Sequence, residues 1–348
     1  MIVAEAFERV VGIDTHARTH TFSVIDARTG AVIAGATFPN TGPGHSRALS
    51  WIRRHCPAMS VLAAVEGTSS YGAGVTAALV AAGVEVTEAR PVGRRRDRAG
   101  KSDGIDAELA ARSVRGIEQE RIPVPRRSTE REDLRILLAA RRILDQQRTA
   151  NRNALTALLR TVDLGVDVRK PLHDNQIRTI SAWRINHKAA GVNNHVVARQ
   201  EARRLARAVL EHTTQLQANH QQLRTLASDA APGLQELSGV GPVTAAIILC
   251  AYSHRGRIHS EAAFAALGGV APLPASSGNT TRHRLSRAGD RQLNRAFDII
   301  VRSRMISDPT TRAYVARRTA EGMSTRETRR CLKRYVCRSV FRQLQATA

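Results

Sequence analysis

Asp103 and Asp106 stand three residues apart in the segment Lys101-Ser102-Asp103-Gly104-Ile105-Asp106-Ala107-Glu108-Leu109-Ala110, which reads as a helix start. On a helix that spacing puts both carboxylates on one face. Asp103 also suits an N-cap position, which explains one aspartate and not the second. Two further acids, Asp14 and Glu66, each close an apolar run. Four carboxylates brought together repel one another unless divalent cations hold them. Magnesium takes hard oxygen ligands, commonly a few carboxylates plus substrate phosphate. Two such ions about 4 Å apart can stabilise the attacking and leaving oxygens of a phosphodiester. Each acid taken alone reads as a surface or capping residue; the four as a set read as a metal site. Arg94, Arg95, Arg96, Arg98 and Lys101 lie just upstream of the aspartate pair, where cations can grip phosphates. Gly100-Lys101-Ser102 resembles the end of a nucleotide-binding loop, but that motif needs a glycine where Arg95 stands. An ATPase is therefore rejected.

The elements that must position these acids follow from the hydrophobic pattern. Residues 9–14, 19–25 and 31–38 alternate as strands, with turn residues at 26–30 and 39–42. A helix is expected over about 44–55. Residues 61–66 form an uninterrupted apolar run ending on Glu66, as a buried parallel strand would. A helix over 71–82, a strand over 84–89 and the helix of Asp103 and Asp106 complete the unit. The order of three strands, helix, strand, helix, strand, helix is that of an α/β ribonuclease-H-like fold. It places Asp14 and Glu66 at the ends of neighbouring strands. We assign residues 1–120 to this catalytic domain.

Residues 121–230 read as a helical middle domain. Pro123 and Pro125 mark a hinge, and residues 128–132 carry a capping-like helix start. Leu134, Leu137, Leu138, Ile143, Leu144, Leu155, Leu158 and Leu159 recur at helical spacing. The opposite face carries Arg135, Arg141, Arg142, Arg148 and Arg152. A second long helix over about 195–227 makes an antiparallel hairpin or coiled coil with the first. The arginine face is either solvated or turned toward nucleic acid. The polar connector 163–194 carries no assignable pattern.

Residues 231–348 form a third, mostly helical domain. Leu237-Ser238-Gly239-Val240-Gly241-Pro242 has the form of a helix-hairpin-helix turn, whose glycines permit approach to a phosphate at a helix N-terminus. A tight turn before a buried helix fits equally. Further on, Ser276-Ser277-Gly278 leads into Arg282, His283, Arg284 and Arg287. A serine there could attack phosphorus while the cations neutralise developing charge. The same residues could equally be a basic loop that grips phosphates. Residues 310–345 read as a further basic helical region, packing through Tyr314, Leu332, Tyr335 and Phe341.

Composition narrows the partners. Lys+Arg 53 against Asp+Glu 30 leaves a net charge of +23, which calls for a polyanion, and nucleic acid is the default. No apolar run approaches the roughly 20 residues needed to span a bilayer, and residues 1–5 show no secretory signal. A cytoplasmic, nucleoid-associated protein is expected. The four cysteines show no zinc-type spacing and read as reduced thiols.

The whole pattern resembles a known family. Val11-Gly12-Ile13-Asp14, Val65-Glu66-Gly67 and Lys101-Ser102-Asp103-Gly104-Ile105-Asp106-Ala107 are similar to the acidic tetrad of the DEDD insertion-sequence transposases, which include Piv-type DNA invertases. The N-terminal domain of that family is RuvC-like. Residues 237–291 resemble its C-terminal transposase domain, whose serine precedes a glycine, as Ser277 does. The resemblance implies that Asp14, Glu66, Asp103 and Asp106 bind Mg2+ and that Ser277 attacks the scissile phosphate to give a covalent phosphoserine–DNA link. Ser276 is adjacent, so the Ser-Gly step alone selects Ser277. It also implies donor and target DNA, a structured guide RNA from the same element, and a dimer or tetramer joined through the long helices. The alternative is a RuvC-like, metal-dependent Holliday-junction nuclease in which water attacks and Ser277 only binds phosphate.

Overall fold

Three antiparallel strands open the chain: β1 (Arg9–Thr15), β2 (Thr19–Asp26) and β3 (Val32–Pro39). The turn between β2 and β3 is set by Asp26, whose carboxylate accepts from the Thr29 amide at 2.8 Å and its hydroxyl at 2.9 Å, with Gly30 following at φ +77°. β4 (Val61–Val65) and β5 (Glu85–Glu88) join in parallel, giving the order β3-β2-β1-β4-β5. β4 has a strand on either side and helices over both faces. All five of its residues are buried, and for that reason it is apolar without alternation. This computed structural model describes residues 1–58, 60–89, 102–126, 129–185, 195–274, 283–284 and 289–346. It contains two compact units, Met1–Arg127 and Ser128–Ala348.

In the first unit, after the four-residue α1 (Val3–Ala6), α2 (Gly42–His55) and α3 (Ala73–Ala81) cover one face of the sheet. They pack on Val11, Ile13, Phe22 and Val24. The alternate residues Val10, Ile25, Leu62 and Ala64 face α4 (Asp103–Arg112) through Ala110 and Ala111. The result is an α/β unit with the elements expected over residues 9–112 in the expected order. Gly12 decides how closely α4 can approach. A Cβ built there would lie 1.9 Å from the Ala107 carbonyl oxygen and 2.6 Å from the Ala111 amide nitrogen. The helix is therefore seated directly on the backbone of β1, two residues from Asp14.

The second unit is helical. α5 (Thr129–Thr161) and α7 (Val196–Ala230) run antiparallel. The Asn219 side-chain amide donates to the Leu137 carbonyl at 2.9 Å, and Arg141 donates to the Leu216 carbonyl at 3.2 Å. The connector between them contains α6 (Asp174–Ser181), for which the sequence offered no pattern. Ile177 and Ile180 of α6 join Leu155, Leu159, Leu172, Ala202 and Leu205 in a core at one end of the hairpin. At the other end Leu134, Leu223 and Ala227 share a core with α8 (Pro242–Tyr252), α9 (Glu261–Leu267), α10 (Arg291–Ser307) and α12 (Thr325–Ala346). Phe264, Phe297 and Phe341 meet within it.

Several details differ from expectation. Of the five arginines on the face of α5, four are engaged within the chain: Arg135 with Glu132, Arg141 with the Leu216 carbonyl, Arg148 with Asp145, and Arg152 with the Leu172 carbonyl and Asp174. The turn before α8 is tight because Gly239, at φ +76°, lies against α10; a Cβ there would meet the Ile300 carbonyl oxygen at 2.9 Å. Packing thus explains this glycine. The basic tail is two helices, α11 (Pro309–Ala320) and α12, separated by a turn in which Gly322 adopts φ +82°. Tyr335 stays half-exposed, edge-on to Tyr314. All four cysteines are free, and burial pushes the Cys56 and Cys337 thiols up to about 11 and about 12, which leaves them poor nucleophiles. No helix among the described residues is long and apolar enough to cross a membrane.

Gly12→Ala is expected to destabilise the first unit by about 2–3 kcal/mol, the usual cost of forcing a methyl into closed packing. Gly104→Ala, whose added carbon meets open space, is the control and should not destabilise. Trp51 lies in this unit and Trp183 in the other. Urea unfolding followed by Trp51 emission in a Trp183→Phe background measures the difference.

Candidate active site

Asp14, the penultimate residue of β1, lies on the α4 side of the sheet and is 6% exposed. Its Oδ2 is buried without a hydrogen-bond partner. The ladder continues one step past β4, because the Glu66 amide donates to the Ile13 carbonyl at 3.0 Å. Thr15 closes the same gap, its hydroxyl donating to the Glu66 carbonyl at 2.8 Å. Val65 pairs with Ile13 on the opposite face, so the alternation carries Glu66 to the side of Asp14. Asp103 and Asp106 fall in the first turn of α4. The residue that caps this helix is Ser102, whose hydroxyl accepts from the Ile105 amide at 3.4 Å. The cap reading of Asp103 is therefore replaced, and its carboxylate is left half-exposed.

The electrostatics of Asp14 register the whole group. Its carboxyl is held above the ordinary aspartate value, first by burial, with Glu66, Asp106 and Asp103 adding repulsion and His16 opposing it. His16 is the residue the sequence did not flag. Its Nε2 lies 3.6 Å from Asp14 Oδ2 and 3.6 Å from Asp103 Oδ1. The only available signal was its place two residues beyond a strand-ending acid, and a histidine there has many ordinary explanations. A buried carboxylate oxygen without a partner, facing other carboxylates, fits a hard divalent cation.

In the second unit, β6 (Leu273–Pro274) pairs with β7 (His283–Arg284). Ser276, Ser277 and Arg282 stand between these strands in sequence, and they lie outside the described residues, as do Arg94, Arg95, Arg96, Lys101 and Arg287. Of the expected phosphate-gripping residues only the backbone of His283 and Arg284 is described. The flanks of the serine segment are tied down. Asn294 donates to the carbonyls of Gly268 at 2.7 Å and Gly269 at 3.3 Å, and the Asp290 amide donates to the Leu267 carbonyl at 2.6 Å. Gly289, at φ +99°, could not carry a side chain, since a Cβ would meet the Leu267 carbonyl at 2.5 Å.

Comparison with known proteins adds a separate line. Residues 11–163 match the transposase domain DEDD_Tnp_IS110, and residues 231–316 match the Transposase IS116/IS110/IS902 family. The first match contains the four acids and the second contains Ser277. The insertion element IS110 uncharacterized 43.6 kDa protein of Streptomyces coelicolor is 33% identical over 117 residues, 31% of this chain and 29% of that relative. The chain thus matches under a third of the length of this curated relative. Both family models are of transposases, and the relative is a protein of an insertion element.

The position of Asp14 gives a pH-dependent expectation. Its folded pKa lies above its unfolded one, so its contribution to stability is present in acid and is lost as pH rises through the folded value. Without metal, Asp14→Asn should therefore melt higher than the parent at neutral pH, with the gap closing in acid. Added Mg2+ should raise the melting temperature of the parent and leave Asp14→Asn unmoved. Thermal melts between pH 4 and 8, with EDTA or Mg2+, check both.

Proposed function

We propose that the chain is an insertion-sequence transposase that cuts and rejoins DNA through a carboxylate-held metal centre and a serine nucleophile. The observation that carries this reading is the buried, partnerless carboxylate oxygen of Asp14, with Asp103 in metal-ligand reach of Asp14 and with Glu66 and Asp106 near enough to disfavour its charge. The fold is of the RuvC-like, ribonuclease-H-like kind, which such an edge of a mixed sheet supports. Asp14, Glu66, Asp103 and Asp106 would hold Mg2+, as one ion or two. Bound there, Mg2+ supplies charge neutralisation at the scissile phosphate.

The remaining steps belong to the chain's own residues. The Ser277 hydroxyl, from the same subunit or a neighbouring copy, attacks phosphorus. A Ser–O–P bond forms as the P–O3′ bond breaks, and the proton of the hydroxyl is carried to the departing 3′-oxygen. Arg282, His283, Arg284 and Arg287 offset the charge that builds on the phosphate. Attack by a 3′-hydroxyl of the partner strand reverses these bonds and frees the serine. The phosphodiester energy is kept in the protein–DNA ester, so the exchange needs no nucleotide. The excess of cations suits contact with the phosphate backbone of donor and target DNA and of a structured guide RNA.

Ser277→Ala should abolish both strand exchange and the covalent protein–DNA adduct trapped on a labelled donor end. Ser276→Ala should retain both. Cutting that persists in Ser277→Ala without an adduct identifies water as the attacking group and replaces the recombinase reading with a junction nuclease. Denaturing gels of the DNA, with and without protease treatment, separate the outcomes.

A further inference from the structure

His16 stands beside two of the four acids. Its Nε2 is equidistant, at 3.6 Å, from Asp14 Oδ2 and Asp103 Oδ1. Those separations are too long for hydrogen bonds, which run to about 3.2 Å. They are ordinary for two donor atoms on one cation, since bonds of about 2.1 Å put ligand atoms about 3 Å apart at right angles and about 4.2 Å apart when opposed. One atom of each of the three side chains lies within 4.8 Å of the others. A second observation points the same way: Asp14, 6% exposed, directs a buried Oδ2 with no hydrogen-bond donor into the gap that His16 borders.

The chain also fixes the backbone of His16 near this position. The His16 amide donates to the Thr19 carbonyl at 3.0 Å, which ties the residue into the reversal between β1 and β2. Asp103 is brought within reach of the same ring nitrogen by α4, seated on Gly12. Strand end, reversal and helix start thus converge on one gap, and each supplies one donor.

We propose that His16 is a nitrogen ligand of this centre and sets its metal preference. The inference rests on the carboxylate metal-site reading and deepens it. A site of oxygen donors alone treats Mg2+, Ca2+ and Mn2+ by size and charge, whereas an imidazole nitrogen favours the first-row transition ions, Mn2+ here, over Ca2+.

The test uses the full chain and two metals as probes, Mn2+ and Ca2+, with affinities measured by calorimetry. Bound Mn2+ is examined by electron spin-echo envelope modulation, which reports directly coordinated 14N. The parent should show imidazole 14N modulation. His16→Ala should lose that modulation and bind Mn2+ at least about tenfold more weakly while its Ca2+ affinity stays within twofold. His16→Gln, which keeps a donor of similar reach but offers oxygen, should lose the modulation and retain part of the affinity. Circular dichroism of each variant checks that the fold is kept. Modulation that survives in His16→Ala, or equal weakening of both metals, overturns the ligand role of His16. Asp14→Asn distinguishes the two levels of argument. If the parent binds both metals and Asp14→Asn binds neither, the carboxylate centre stands whatever His16 does. If the parent binds neither metal, the centre and the His16 proposal fall together.

Discussion

Like charges resist being collected, and the first unit is arranged to collect them. The contact that enforces this is the seating of α4 on Gly12, where a carbonyl and an amide of the helix occupy the space that any side chain would need. That contact holds the start of the helix at the end of β1 and carries Asp103 toward Asp14. Parallel pairing of β1 with β4 supplies the other half, because the ladder runs one residue past the strand and brings Glu66 level with Asp14. Apolar burial on both faces of β4 provides the free energy that such crowding costs. A centre of this kind is destabilising until a counter-charge arrives, which is common where binding is the purpose.

Much of the first unit was legible in the sequence. Strand alternation, the apolar run of β4 and the acids at strand ends are local patterns, and they translate directly into a sheet edge bearing carboxylates. The missing pieces are those that depend on neighbours in space. His16 joins the acids because the chain reverses after β1 and α4 crosses it, and no spacing rule records that. Ser102 rather than Asp103 caps α4, a choice between adjacent residues that both suit the position. In the second unit, α6 escaped notice because eight residues are too few to display a period, and its apolar pair acquires meaning only against α5 and α7. The arginines of α5 left a solvated face and a nucleic-acid face equally open, yet guanidinium groups also satisfy carbonyls left at turns and helix crossings, as Arg141 and Arg152 do.

The two units solve the problem of an excess of positive charge differently. In the first, Arg9, Arg112 and Arg121 pair with nearby acids, and Arg115 ties a turn through the Ala27 and Arg28 carbonyls. In the second, two acids are each shared among several cations. Asp298 meets Arg302, Arg329 and Lys333, and Glu261 meets Arg334 and Arg338. Sharing one carboxylate among several cations binds α10 to α12 and α9 to α12 while leaving the unit strongly positive. A core of phenylalanines and aliphatic residues beneath these pairs carries the cohesion that mutual repulsion opposes.

The amide of Asn219, buried between α5 and α7 and bonded to the Leu137 carbonyl, has a mechanical meaning. Sliding one helix past the other by a turn would strand a polar group in an apolar seam, so the pair behaves as a rod of fixed length. Thirty-three residues of α5 make that rod about 50 Å long at about 1.5 Å per residue. It spans the same distance as about 15 base pairs of duplex at about 3.4 Å each. Its reach is thus quantised: it can be altered only by matched insertions or deletions of whole turns in both helices, and not by flexing.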